Sequence, residues 1–203
     1  MKDIRQSFFS GIKHTAIAQY SNVFINLFIG AVLARLLTPE EFGTVAMVTV
    51  FVTFFSLFSD MGISVGIVQF RNLTSDNLSS IFNLSLIIGA TLGIGFWFSA
   101  HLIAGFYNSD KFIKIVQALS IVLLFHAAAM PALGILRRDQ KFKQIGIITV
   151  SISLITGIVG IILAYTGFSY WALIIRSILS AVFLFVIQSI LAKIPIKAVW
   201  DFK

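Results

Sequence analysis

The sequence has no cysteine and little charge, and each shortage excludes a class of protein. Without cysteine, disulfides, thiolate metal sites and cysteine nucleophiles are excluded. Only 11% of the 203 residues are charged and 58% are hydrophobic, whereas a soluble domain has about 25% charged residues. A protein surface with so few charged residues is not typical of a protein that is surrounded by water. The three prolines and 21 phenylalanines fit long lipid-facing helices, so we predict an all-α, polytopic membrane helix bundle.

Motifs that carry enzymatic chemistry are also missing. The sequence contains no GxxxxGK[ST], HExxH or GxSxG, the signatures of nucleotide-driven, zinc-dependent and serine hydrolase chemistry. No two of its histidines lie at metal-ligand spacing. The sequence therefore predicts no catalytic residues, no metal, no cofactor and no enzymatic activity. A net charge of +7 raises the question of nucleic acid, but no soluble basic module is present, and we expect no nucleic-acid partner.

Six apolar segments are long enough to cross a bilayer, which needs about 20 apolar residues. They are 15–37, 42–69, 78–106, 112–136, 144–166 and 170–192. The connections between them are short and polar, so successive helices are predicted to be antiparallel neighbours. We predict that residues 1–203 form a single six-helix transmembrane bundle.

The distribution of lysine and arginine predicts the orientation of this bundle. Eleven basic residues fall at one set of helix ends, namely Lys2, Arg5, Lys13, Arg71, Arg137, Arg138, Lys141, Lys143, Lys193, Lys197 and Lys203. The other set of ends carries Arg35, Lys111 and Lys114. Because cytoplasmic loops are enriched in basic residues, both termini are predicted to be cytoplasmic.

The stretch ARLLTPEEFG concentrates charge between the first two apolar segments. Thr38 is predicted to cap the second helix, with Pro39 as its first residue and Glu41 as the partner in a capping box. Leu37 and Phe42 then occupy the positions of a hydrophobic staple. Most of this charge is therefore explained by the start of a helix.

Two arginines lie within apolar segments, where charge is costly. Arg35 is near the end of the first segment and Arg176 near the start of the sixth. Each can extend its side chain to the headgroups, and Arg35 can then meet Glu40 or Glu41. Alternatively, each faces an internal cavity and binds an anion. Since the sixth segment has no acidic residue, we predict that both face the interior and form a substrate-binding site.

Two further ionisable residues lie far from the ends of apolar runs. Asp60 is in FSDMGIS, and His126 is near the middle of the fourth segment. Ionisable groups inside membranes are usually functional. Asp60 is either an interfacial carboxylate or one that gates or couples to a cation. His126 is either a hydrogen-bonded core residue or a proton relay, since imidazole titrates near neutral pH. We predict both as coupling or gating residues.

Two pairs of glycines recur at close helix-packing spacing. Gly62 and Gly66 lie four residues apart, as do Gly89 and Gly93. Small residues at this spacing let two helix backbones approach closely inside a membrane. We predict that both pairs are packing faces, with a hinge for a moving helix as the alternative.

Four stretches carry a resemblance to a known family: ARLLTPEEFG, SDMGISVGIVQ, GILRRDQKFK and YWAL. They lie in register over nearly the whole chain, which resembles the polysaccharide transporter branch of the multidrug/oligosaccharidyl-lipid/polysaccharide exporter superfamily. The resemblance implies a MATE-like fold of two six-helix lobes that face each other across a central cavity. This chain resembles the N-terminal lobe. A second lobe is therefore implied, either as a missing C-terminal half or as another chain.

The resemblance also implies a function. Its members flip lipid-linked oligosaccharides across the bacterial cytoplasmic membrane, by alternating access, for cell-surface polysaccharide or lipopolysaccharide synthesis. The implied partners are the lipid bilayer and a polyprenyl-pyrophosphate-linked oligosaccharide. Arg35 and Arg176 would then hold the pyrophosphate, because arginine forks onto phosphate oxygens and stays charged.

Two other functions stay open. A cation-coupled exporter of small molecules from the same superfamily would favour acidic cavity residues, whereas Arg35 and Arg176 are basic. The other alternative is a non-transporting membrane subunit that holds glycan-synthesis enzymes together. Stable enzyme partners without any flipping would favour that subunit.

Overall fold

The computed structural model describes residues 2–60, 62–70 and 73–194, with side chains from Thr15 onward. The structure in these ranges consists of eight helices joined by short turns. They are α1 (Lys2–Leu36), α2 (Pro39–Asp60), α3 (Ile63–Gln69), α4 (Ser75–Phe98), α5 (Ala100–Tyr107), α6 (Lys111–Arg138), α7 (Phe142–Tyr165) and α8 (Trp171–Ala192).

Six stretches of helix are long and apolar enough to cross a membrane. They are Thr15–Leu36, Pro39–Gln69, Ser75–Tyr107, Lys111–Arg138, Phe142–Tyr165 and Trp171–Ala192. The second span combines α2 with α3, and the third combines α4 with α5. The predicted fold class is confirmed: the chain is an all-α, multi-pass membrane protein.

The second span is interrupted, which the sequence analysis did not predict. Gly62 adopts a left-handed backbone conformation with φ 80°, which glycine reaches at little cost because it has no Cβ. The carboxylate of Asp60 accepts a hydrogen bond from the backbone N–H of Ser64 at 3.0 Å. It therefore satisfies a donor in the first turn of α3, which intrahelical bonds leave unpaired. The third span has no comparable break at Ser99, between α4 and α5, because Ser99 keeps a right-handed helical conformation and its N–H donates to Gly95 O at 3.0 Å.

The start of α2 forms the predicted capping box. The hydroxyl of Thr38 accepts from the backbone N–H of Glu41 at 3.3 Å, and the carboxylate of Glu41 accepts from the backbone N–H of Thr38 at 2.9 Å. Pro39 is the first helical residue. Leu37 is buried, with Phe42 packed in the same apolar cluster. This part of ARLLTPEEFG is confirmed as the start of a helix.

The centre of the bundle is α6, which packs against α2, α3, α4, α5 and α8. Small residues let these neighbours approach, since Ala127, Ala128, Ala132 and Gly134 are all buried. The helix α1 packs instead along α7, and α7 packs along α8. The expectation that successive helices are neighbours is therefore wrong for α1 and α2, because interhelical packing and not loop length decides which helices touch.

Of the two glycine pairs, only the one in α4 is a packing face. A Cβ at Gly89 would lie 2.9 Å from Ala127 Cβ, and one at Gly93 would lie 3.1 Å from Ser120 O. This prediction is confirmed. At Gly62 and Gly66 an added Cβ would meet no described residue within 4 Å, so the predicted packing face there is wrong, and Gly62 instead lies at the N-terminal cap of α3.

Candidate functional site

Two cavities follow one another along the bundle. The Arg176 cavity has a volume of about 730 Å³ and is lined by α1, α2, α6, α7 and α8. The Arg137 cavity has a volume of about 350 Å³ and is lined by α1, α6, α7 and α8. Both are lined by His126, Ala181 and Leu184, which we call the neck. The Arg176 cavity extends from the neck towards the starts of α2 and α8, and the Arg137 cavity towards the end of α6.

Arg176 lies one turn into α8, half-buried, with its side chain in the larger cavity. Its Nη2 donates to Oδ1 of Asn26 at 2.6 Å. Its aliphatic stem crosses Gly160 of α7, where a Cβ would lie 3.2 Å from Arg176 Cδ. Because the partner is an amide and not a carboxylate, this contact supplies no counter-charge to the guanidinium. A fixed cation inside a membrane span is well placed to bind an anion.

A chain of polar side chains behind Arg176 links three helices. Asn26 Nδ2 donates to the backbone oxygen and to Oδ1 of Asn22, both at 2.8 Å. Ser153 Oγ on α7 donates to the same Oδ1 at 2.6 Å. These residues hold Arg176 in place, and the sequence analysis missed them. Two asparagines four residues apart in an apolar helix were the available signal, because that spacing puts them on one face.

The hydroxyl groups that line the Arg176 cavity face it mainly as acceptors. Thr49, Thr53, Thr156 and Ser177 each donate their proton to a carbonyl of their own helix, at 2.8, 2.9, 2.7 and 3.0 Å. A hydroxyl has one donor and two acceptor lone pairs. The remaining capacity therefore suits a ligand rich in O–H or N–H groups.

His126 and Asp60, the predicted coupling or gating residues, lie in different surroundings. His126 is in the neck, and its buried Nδ1 has no hydrogen-bond partner among the described residues. Asp60 is half-buried at the end of α2 and lines neither cavity. Its carboxylate caps α3 through Ser64. The structure thus puts one of the two on the path between the cavities and the other beside a helix break.

Arg35 is not brought together with Arg176 in one cavity. It lies exposed in the last turn of α1 and lines neither cavity. It forms no ion pair with the two glutamates that the sequence analysis considered as partners. Glu40 accepts from Lys111 Nζ at 3.0 Å, and Glu41 accepts from Ser169 Oγ. These two contacts tie the first turn of α2 to α6 and to the α7–α8 turn.

Acidic side chains are absent from the described residues that line either cavity. Within the same described ranges, no group of three or more histidine, aspartate or glutamate residues could hold a metal ion. The larger cavity therefore combines one cation with hydroxyl and amide groups. This chemistry fits a polar, negatively charged ligand better than a cationic one.

Comparison with known proteins adds an independent line of information. A family model described as polysaccharide biosynthesis protein matches residues 32–203. The chain is 23% identical over 150 residues to the succinoglycan biosynthesis transport protein ExoT of Rhizobium meliloti (strain 1021), covering 74% of this chain and 30% of that protein. It is 23% identical over 176 residues to the lipopolysaccharide biosynthesis protein WzxC of Escherichia coli (strain K12), covering 87% of this chain and 35% of that protein.

A third relative is named for teichuronic acid biosynthesis. The teichuronic acid biosynthesis protein TuaB of Bacillus subtilis (strain 168) is 25% identical over 145 residues, covering 71% of this chain and 30% of that protein. The chain thus spans about a third of the length of the curated relatives it matches. No solved structure matches it significantly.

Proposed function

The chain belongs to the polysaccharide biosynthesis protein family, and on that premise we propose that it translocates a lipid-linked oligosaccharide across the cytoplasmic membrane. The glycan and its pyrophosphate pass through the Arg176 cavity while the polyprenyl tail stays in lipid. The product serves the synthesis of cell-surface polysaccharide or lipopolysaccharide. The observation that carries this proposal is the fixed, unneutralised Arg176 in a large intramembrane cavity.

The chemistry of this cavity supports a glycan with an anionic group. Moving a charged group through a low-dielectric region is costly unless an opposite charge accompanies it. Arg176 supplies that charge, and Asn26 leaves most of its N–H donors available for phosphate oxygens. The hydroxyl acceptors of Thr49 and Thr53 suit sugar hydroxyl donors. The protein acts by binding and conformational change, and not as an enzyme.

Alternating access needs a second body against which this bundle moves. We propose a second six-helix lobe, in the same polypeptide or in a partner chain, that closes the Arg176 cavity. The comparisons support a second lobe, since the chain spans about a third of the length of the curated relatives it matches. Arg35, exposed at the end of α1, is then a second anion contact at the rim, reached before or after Arg176 and not together with it.

The neck is the natural position for a gate between the two cavities. We propose that His126 controls passage there, because both cavities reach it and its buried Nδ1 has no hydrogen-bond partner among the described residues. Asp60 acts at the helix break between α2 and α3, where its carboxylate holds the first turn of α3 through Ser64. A change of charge at Asp60 would alter that break.

We further propose that both termini are cytoplasmic, as the distribution of basic residues predicts. Because the chain has no cysteine, single cysteines can be introduced without background. Cysteines at Asn108 and Ser169 should react with an impermeant thiol reagent added outside intact cells. Cysteines at Asn77 and Gln140 should not. The opposite labelling pattern would refute the proposed orientation.

The central test measures flipping of a fluorescent lipid-linked oligosaccharide in vesicles that contain the complete transporter. Arg176→Gln removes charge-assisted hydrogen bonds worth about 1.5–3 kcal/mol, so transport should fall by about 10- to 150-fold. Arg176→Lys keeps the positive charge but loses the two-pronged hydrogen bonding of the guanidinium, so transport should fall less than in Arg176→Gln. Lys111→Gln is the matched control, since it removes one positive charge near the start of α6 and outside the cavity.

The outcomes separate the proposed function from its rivals. Wild-type flipping in Arg176→Gln, with normal insertion, would mean that this arginine merely reaches the headgroups. Export of small cationic drugs without any glycan flipping would favour the cation-coupled exporter. Stable co-purification with glycan-synthesis enzymes, again without flipping, would favour the assembly subunit.

A further inference from the structure

The Arg137 cavity contains a second arginine that the proposed function has not used. Arg137 lies in the last turn of α6 and lines this cavity together with polar side chains of Gln19, Thr149 and Gln188. Its Nη1 donates to Ser64 Oγ at 3.0 Å. Ser64 is fully buried, so it fixes the position of the guanidinium.

The positive charge of Arg137 is not neutralised by a carboxylate. In the adjacent turn Asp139 is shared by Arg138, at 4.0 Å, and Lys141, at 3.2 Å. Asp60 binds the backbone N–H of Ser64 and not the guanidinium. Among the described residues Arg137 thus has no ion pair, and its only hydrogen bond there uses one of five N–H donors. The others are available to an anion in the cavity.

Arg137 and Arg176 lie on opposite sides of the neck. On α6, His126 precedes Arg137 by eleven residues, a rise of about 16 Å at 1.5 Å per residue. On α8, Arg176 precedes Ala181, the neck residue nearest to it in sequence, by five residues, a rise of about 7.5 Å. The two arginines are therefore separated by roughly 24 Å along the bundle axis. That separation is too great for one pyrophosphate group to contact both.

We propose that Arg137 forms a second anion-binding site, which binds the pyrophosphate of the lipid-linked substrate on the other side of the neck from Arg176. The inference rests on the proposed function for the identity of this ligand. Ser64 positions Arg137, because its Oγ accepts from Nη1 of the guanidinium while the other N–H groups contact phosphate oxygens. Substrate then occupies two successive sites, with His126 between them.

The test measures equilibrium binding of radiolabelled farnesyl pyrophosphate to the full chain in phosphatidylcholine nanodiscs. Wild type should bind at two sites. Arg137→Gln and Arg176→Gln should each lose one site, with affinity there at least about tenfold weaker. Arg137→Lys keeps the charge, and its affinity for the probe should lie between those of Arg137→Gln and wild type. This variant also serves as a check that lost binding does not come from misfolding. Arg138→Gln is the matched control, since this neighbour pairs with Asp139 and lines neither cavity.

Competition shows which part of the probe is bound and from which source. Inorganic pyrophosphate should displace the label from the Arg137 site, and failure to do so would mean that only the isoprenoid chain binds. Displacement by added phosphatidylglycerol would assign the site to ordinary anionic headgroups and overturn the proposal. Equal losses in Arg138→Gln and Arg137→Gln would also overturn it, because binding would then reflect diffuse charge.

The flipping assay keeps this inference separate from the proposed function. Binding that depends on Arg137 in a protein that does not flip glycans would leave this site standing and refute only the proposed function. Normal flipping that depends on Arg176, with no Arg137-dependent binding, would refute only the second site.

Discussion

Replacing Gly89 by alanine tests the close contact between α4 and α6. An added Cβ would lie 2.9 Å from Ala127 Cβ, 3.0 Å from Leu124 O and 3.1 Å from Leu124 Cα. Carbon atoms pack best at about 3.5–4.0 Å. Two of the three atoms belong to the backbone of α6, so no side-chain rotation can relieve the overlap, and the helices must separate by about half an ångström.

The structure also provides a matched control on the same helix. A Cβ at Gly95 would meet no atom of the described residues within 4 Å. Overpacking of the kind expected at Gly89 costs about 1–3 kcal/mol, whereas Gly95→Ala should gain up to about 1 kcal/mol of helix propensity. In a chain of this length each kcal/mol shifts the thermal midpoint by about 2–4 °C. Gly89→Ala should therefore lower Tm by several degrees, and Gly95→Ala should leave it unchanged or raise it.

The assay is thermal unfolding of the purified protein in detergent, followed by the fluorescence of a thiol-reactive dye that reports exposure of a cysteine introduced at buried Ala172 of α8, away from the tested contact. A second probe, circular dichroism, needs no substitution beyond the one tested. The reasoning about α4 and α6 would be refuted by an unchanged Tm in Gly89→Ala, or by equal losses at Gly89 and Gly95. Either result would mean that the two helices are not held at the distance described.

Three further predictions concern single contacts. Thr38→Ala removes the hydroxyl of the capping box and should destabilise the protein by about 0.5–2 kcal/mol, measured as a lower Tm, while Thr38→Ser should not. Lys111→Gln breaks the ion pair with Glu40, whose two side chains are 62% and 77% exposed. Because exposed ion pairs contribute little, Tm should not change measurably. A clear loss of Tm would show that this pair matters more than its exposure suggests. Asp60→Asn keeps an acceptor for the backbone N–H of Ser64, whereas Asp60→Ala does not. Loss of glycan export in both variants would show that the negative charge of Asp60 is needed. Loss in Asp60→Ala alone would show that Asp60 acts only as a helix cap.

Local features were predictable because their causes lie within a few residues. The capping box at Thr38 and Glu41 follows from a four-residue pattern, and the membrane spans follow from long apolar runs. The break at Gly62 was missed because residues 42–69 were interpreted as one continuous segment, with Asp60 as a coupling or interfacial carboxylate and Gly62 as a packing glycine. A glycine with positive φ differs from a packing glycine in backbone conformation alone, which composition does not reveal.

The candidate site was predictable only in part, because its geometry depends on distant segments. The isolated charge of Arg176 was visible in the sequence, but its partner Asn26 lies 150 positions away. Arg35 was also predicted to face the interior, yet the structure leaves it outside both cavities. Arg137 was attributed mainly to membrane orientation, since its contact with Ser64 bridges 73 positions. These distinctions arise from which helices pack together, and loop lengths do not specify that.

The packing of α1 along α7 has a consequence for biosynthesis. About 130 residues separate the end of α1 from the end of α7. At ribosomal rates of 5–20 residues per second, roughly 6 to 26 seconds pass between the completion of the two helices. During that interval α1 sits in the bilayer with its main partner not yet made, and its two asparagines, Asn22 and Asn26, have neither Ser153 nor Arg176 to bind. The nascent chain therefore carries an exposed polar helix face that lipids, the insertion machinery or a chaperone must cover until α7 and α8 arrive.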